Sequence, residues 1–151
     1  DDTKQKHYLQ FKAKLDEINS AGKYFLAGGD LNTLPPGSTK LDYCMEDMCP
    51  GETFHQEGDD PMHKAGSYFS DETAWLWPVY SEYKCAVPLP VYLANQEAHF
   101  THTTRPTETW DRTLDYLFTN SGWVAGSTIT HQDAFYESDH CPVSSLLLLP
   151  K

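Results

Sequence analysis

Asp30 and Asn32 in GGDLN, Asp115 in TLDYLF, and the adjacent Asp139 and His140 in SDHCPV are the residues of this chain best suited to chemistry. A carboxylate bonded to one imidazole nitrogen fixes the tautomer and favours the protonated ring. A second carboxylate can align a water or hold a cation, and a side-chain amide can donate to an oxygen. Hydrolysis of a phosphate ester asks for such a set: a nucleophile, positive charge on the phosphate oxygens, and help for the leaving group. Taken singly, each residue has a plainer reading. Asp115 could pair with Arg112, Asn32 could be a left-handed turn residue beside Gly28 and Gly29, and Asp139 with His140 could cap a turn. Their conjunction in one chain points to a site.

The elements that must position these residues can be read from hydrophobic spacing. Tyr8, Phe11, Leu15 and Ile18 recur at helical intervals with charged residues opposite, and Asn19 to Gly22 supplies a stop, which predicts an amphipathic helix. Lys23 to Ala27 then reads as a buried strand. It delivers Asp30 and Asn32 through Gly28 and Gly29, which permit a sharp turn or a close backbone approach. From Thr33 to about Ala98 the pattern dissolves into Pro, Gly and scattered aromatics, with short helices expected near Ser70 to Trp77 and Ser81 to Cys85. Strands are expected at Thr113 to Thr119, at Trp123 to Thr130 after the Asn120 to Gly122 turn, and at Pro142 to Leu149. LDYLF and SSLLLL lack alternation and read as buried on both faces.

The 151 residues suit a single domain, and 39% apolar residues can build a core. A net charge of −11 disfavours a protein that grips nucleic acid by a basic surface, although a hydrolase can recruit divalent cations into an acidic cleft. No stretch approaches the roughly 18 apolar residues of a membrane span. Cys44, Cys49, Cys85 and Cys141 fit no zinc spacing, so zinc is not expected. Cys44 and Cys49 could close a small disulfide loop and Cys85 could pair with another thiol, as in an extracytoplasmic protein, or all could be free. The chain opens on Asp1 with no leader pattern, so the expectation is a removed leader or a start inside a longer protein.

The order GDLN, then RTLDYLF, then SDHCPVSSLLLL resembles the later motifs of the endonuclease/exonuclease/phosphatase superfamily, which read GDFN, RIDYIF, and SDH followed by an apolar strand. The resemblance frames Gly28 to Leu149. It implies an α+β fold, a four-layer α/β sandwich, present in residues 1–151 as the C-terminal half of one domain. It also implies a metal-dependent hydrolase of phosphodiester or phosphomonoester bonds that uses Mg2+, with Mn2+ or Ca2+ as alternatives. By resemblance, His140 touches the scissile phosphate or transfers a proton, Asp115 orients it, Asp30 aligns the water and contacts metal, Asn32 donates to a phosphate oxygen, and Asp139 is a metal ligand. The family's early Asn, Glu and second His have no match here. The expected partners are therefore a phosphate-ester substrate (nucleic acid, phospholipid or small ester) and an N-terminal half of the same domain, without which the chain should hydrolyse little.

Two other functions stay open: a non-catalytic binding module that keeps the fold, and an extracellular interaction protein. In HFTHTTRP the threonines disfavour helix, so His99 and His102 are not expected to share a face. Metal binding there is not expected; ordinary loop packing is, although the loop could touch substrate with Arg105 as a phosphate clamp. The acidic cluster Glu57, Asp59 and Asp60 lacks EF-hand spacing and reads as a solvated face.

Overall fold

Tyr8, Phe11, Leu15 and Ile18 lie along one side of a helix, and a sheet is available to cover them. In a computed structural model, which describes residues 2–38, 74–103, 110–134 and 138–150, the helix α1 (Asp2–Ser20) packs on a three-stranded antiparallel sheet. The strands are β1 (Leu26–Asp30), β2 (Lys84–Cys85) and β3 (Asp115–Thr119), in the order β1-β3-β2. Tyr8 and Leu15 are buried with Phe25, Leu76, Val79, Tyr83, Cys85, Tyr116 and Phe118, and Phe11 and Ile18 pack against them. Full burial of side chains such as Leu15 and Phe118 stabilises by about 1.5–3 kcal/mol each. Asn120 ties the corner: it accepts from Phe25 N at 3.1 Å and donates to Asn19 Oδ1 and the Lys23 carbonyl.

The proline-rich stretch holds short helices. Pro78 and Pro90 occupy the first turns of α2 (Trp77–Tyr80) and α3 (Leu89–Ala94), where a missing N–H costs little. A 3-10 turn (Glu97–His99) follows. Two small ladders complete the described residues: β4 (Gly122–Trp123) with β7 (Leu147–Leu148), and β5 (Ile129–Thr130) with β6 (Val143–Ser144). The arrangement is α+β. Among the described residues no helix is long and apolar enough to cross a membrane.

Several expectations are corrected. Ser81 to Cys85 is a turn leading into β2, because Cys85 finds a ladder partner in Phe118. The strand expected at Trp123 to Thr130 is broken at Gly126, which has φ +71°, and the last strand splits into β6 and β7. Lys23 to Ala27 is not buried throughout. Phe25 and Ala27 face α1, while Leu26 on the other face is exposed, and the strand itself runs on to Asp30. Leu146, Leu148 and Leu149 are more than half exposed rather than covered on both sides. Cys85 and Cys141 are free, buried thiols, so Cys85 is in no disulfide. The Cys44–Cys49 pairing, Arg105, the Glu57 cluster and the first half of the helix expected over Ser70 to Trp77 lie outside the described residues.

Candidate active site

β1 and β3 pair through five successive rungs, and the terminal rung sets Asp30 directly opposite Asp115. Two glycines make this approach possible. A Cβ on Gly28 would stand 1.9 Å from the Tyr116 carbonyl oxygen, so only glycine lets the strands close, and Gly29 takes φ +130°. The ladder continues one bond further, with Leu31 N donating to the Leu114 carbonyl at 2.9 Å. The Tyr8 hydroxyl then donates to the Leu31 carbonyl from α1, and the Tyr116 hydroxyl to the Thr33 carbonyl at 2.5 Å. Between these anchors Asn32 turns the chain at φ +52° and its backbone N–H donates to Asp30 Oδ1 at 2.7 Å. Asn32 thus takes the left-handed turn role, and it is through its backbone that it orients the Asp30 carboxylate.

His140 comes from the segment before β6. Its Nδ1 lies 2.8 Å from Asp115 Oδ2, and its Nε2 lies 4.0 Å from Asp30 Oδ2. The ring therefore spans the two carboxylates of the terminal rung. Burial lowers the His140 pKa, but the Asp115 hydrogen bond and the charges of Asp115, Asp30 and Asp139 outweigh it, and the net shift is upward from the usual histidine value. Arg112 pairs with its neighbour Asp111, Nε to Oδ1 at 2.7 Å, while Asp115 is engaged by His140.

A short crossing segment, Phe100 to Thr103, holds the pieces together. Thr101 is buried, and its hydroxyl oxygen accepts from both Leu114 N (3.0 Å) and Asp115 N (3.1 Å). Its carbonyl accepts from Cys141 N at 2.7 Å, and Thr103 N donates to the Asp139 carbonyl at 2.9 Å. His102 forms antiparallel bridges with both Arg112 and His140, and its ring meets the His140 ring edge-on at 4.8 Å. Thr101 is a site residue that the sequence did not single out, and His102 is one for which ordinary loop packing was expected. Their signal was present in HFTHTT, where alternate residues of an extended segment share a face. His99 lies apart, its pKa lowered by burial.

The five expected residues are not all joined in the same way. Asp30, Asp115 and His140 converge, and Asn32 reaches them through its backbone. Asp139 joins His102 and His140 in a group whose potential ligand atoms all lie within 4.8 Å of one another, and Asp30 is not a member of that group. Magnesium prefers oxygen donors in a near-octahedral shell. Two imidazoles and one carboxylate do not fit that preference, and among the described residues no group of three carboxylates offers a better seat.

A cavity of about 700 Å³ opens elsewhere, lined largely by apolar residues including Tyr83, Val87, Leu89, Trp123 and Val124. It contains none of Asp30, Asn32, Asp115, Asp139 or His140, so size and chemistry point to different places. The chemical reading rests on the charged constellation, since apolar volume alone provides no reacting group. The chain matches no protein-family model, no curated protein and no solved structure.

Proposed function

We propose that this chain carries the proton-transfer and phosphate-binding side of a phosphoester-hydrolysing site, within the four-layer α/β sandwich that its GDLN, LDYLF and SDH motifs suggest. The observation that supports the reading is the placement of one imidazole between two carboxylates, Asp115 on Nδ1 at 2.8 Å and Asp30 near Nε2 at 4.0 Å. Asp115 keeps Nδ1 protonated and stabilises imidazolium, so His140 Nε2 can present a proton outward. Asp30, fixed by the Asn32 N–H, is the base for water. In the proposed step the water oxygen bonds to phosphorus and loses a proton to Asp30. The ester P–O bond breaks, and the departing oxygen takes the His140 Nε2 proton. No metal ion takes part in this step, because the described residues do not fit magnesium. The substrate is a phosphodiester or phosphomonoester of a nucleic acid, a phospholipid or a small molecule.

The test uses the protein at the full length its gene encodes, assayed on plasmid DNA, a phospholipid vesicle and a chromogenic bis-phosphate, with Mg2+ and Mn2+ in separate series. His140→Ala and Asp30→Asn should each lower kcat by about 10²- to 10⁴-fold. Equal rates for wild type and both variants on every substrate would sink the assignment and leave a binding module as the reading.

A further inference from the structure

The group formed by His102, Asp139 and His140 has a composition that proton transfer to a phosphate ester does not require. We propose that these three residues bind a divalent cation of borderline softness, Zn2+ or a close substitute, in a His2Asp site. The cysteine spacing had given no reason to expect zinc; the imidazoles do. Their potential ligand atoms lie within 4.8 Å of one another. Three ligands around one tetrahedral zinc stand about 3.4 Å apart, so binding draws them together by up to about 1.4 Å. Asp139 can supply that movement, because it is exposed and its carboxylate has a 3.3 Å contact with the Ser138 hydroxyl.

The rest of the site is fixed in the manner a metal centre needs. The His102–His140 bridge sets two ligand backbones side by side, and the Thr103–Asp139 and Cys141–Thr101 hydrogen bonds brace them. A carboxylate stands near Nδ1 of each ring: Asp115 hydrogen-bonds His140 at 2.8 Å, while Asp111 lies 3.5 Å from His102 Nδ1, a buried nitrogen that makes no hydrogen bond among the described residues. Asp111 is held in turn by Arg112. Metal-bound histidines characteristically place a carboxylate on the nitrogen that does not ligate, which orients the ring and raises its basicity. For His140 that leaves Nε2 for the cation. Edge-on packing of two rings explains the 4.8 Å centroid distance by itself, but it does not require a carboxylate near each ring or an acid beside both.

The inference is an alternative to the proton-donating role of His140, since Nε2 cannot hold a cation and a proton at once, and its test measures binding alone. Chelator-stripped protein is titrated with Zn2+, Mg2+ and Co2+ by calorimetry and by visible absorption of Co2+. Zn2+ should bind one per chain and at least about tenfold tighter than Mg2+. His102→Phe, which keeps a flat ring, and Asp139→Asn should each weaken Zn2+ at least about tenfold, and Asp111→Asn should weaken it by about tenfold. Zn2+ binding no tighter than Mg2+, or unchanged in His102→Phe, overturns the site. If that variant does not fold, wild-type NMR decides: substoichiometric Mn2+ should broaden the His102 and His140 ring signals selectively, and uniform broadening overturns the proposal.

Discussion

Asp30 and Asp115 oppose each other on the last rung of the β1–β3 ladder, two carboxylates on one face of a sheet. Like charges at directly opposed positions destabilise a ladder. His140 offsets this by bonding one carboxylate and approaching the other. Removing the imidazole should therefore harm the fold as well as any reaction. The coupling between His140→Ala and Asp115→Asn in a double-mutant cycle should be about 1–2 kcal/mol by chemical denaturation. Additive effects would mean the 2.8 Å contact carries no net stabilisation.

The raised His140 pKa gives this contribution a definite pH dependence. The folded protein binds the proton more tightly than the unfolded chain, whose value is near 6.5. The stabilisation is thus fully present below that value and is lost as pH rises through the higher folded value. NMR titration of the His140 ring should show a midpoint above that of an exposed histidine. Stability of wild type relative to His140→Gln should decline over the same window, and a midpoint below 6.5 would contradict the arrangement.

Thr101 predicts a different failure. Its hydroxyl is the acceptor for the Leu114 and Asp115 amides, so Thr101→Val leaves one buried and one part-buried donor without that partner. The cost should be about 1–3 kcal/mol, and Thr101→Ser should recover most of it. If Val is as stable as Thr, the two hydrogen bonds are dispensable.

Gly28 and Gly29 should separate by mechanism. At Gly28 an added methyl meets the Tyr116 backbone at 1.9 Å, whereas at Gly29 nothing lies within 4 Å and the obstacle is φ +130°. Gly28→Ala should cost about 1–3 kcal/mol and move Asp30 away from Asp115, which removes only the smaller, Asp30 part of the upward shift at His140. Gly29→Ala carries conformational strain of about 1–3 kcal/mol without forcing the strands apart. Unchanged stability in Gly28→Ala would refute the close-approach account.

Local spacing revealed the helix and the glycine turn. The Tyr8, Phe11, Leu15, Ile18 series carries the helical period, and GGD announces a strand end. Cys85 was misread because a two-residue strand has no period of its own and is defined by its partner Phe118. His102 was assigned to loop packing for a related reason. The neighbours that give it meaning, His140 and Asp111, are distant in sequence or joined only through the crossing segment. Leu146 to Leu149 look like core by composition, and their exposure is decided by what packs beside them, which one segment cannot specify.

The five rungs between β1 and β3 contrast with the two-residue ladders that follow. Asp30 and Asp115 belong to the longer ladder, and His140 sits just before the short strand β6. Amide exchange should accordingly reach β4 to β7 well before β1 and β3. On warming, the histidine would part from its carboxylates while the core remains intact, so any activity this site supports would fade at a lower temperature than the helix signal.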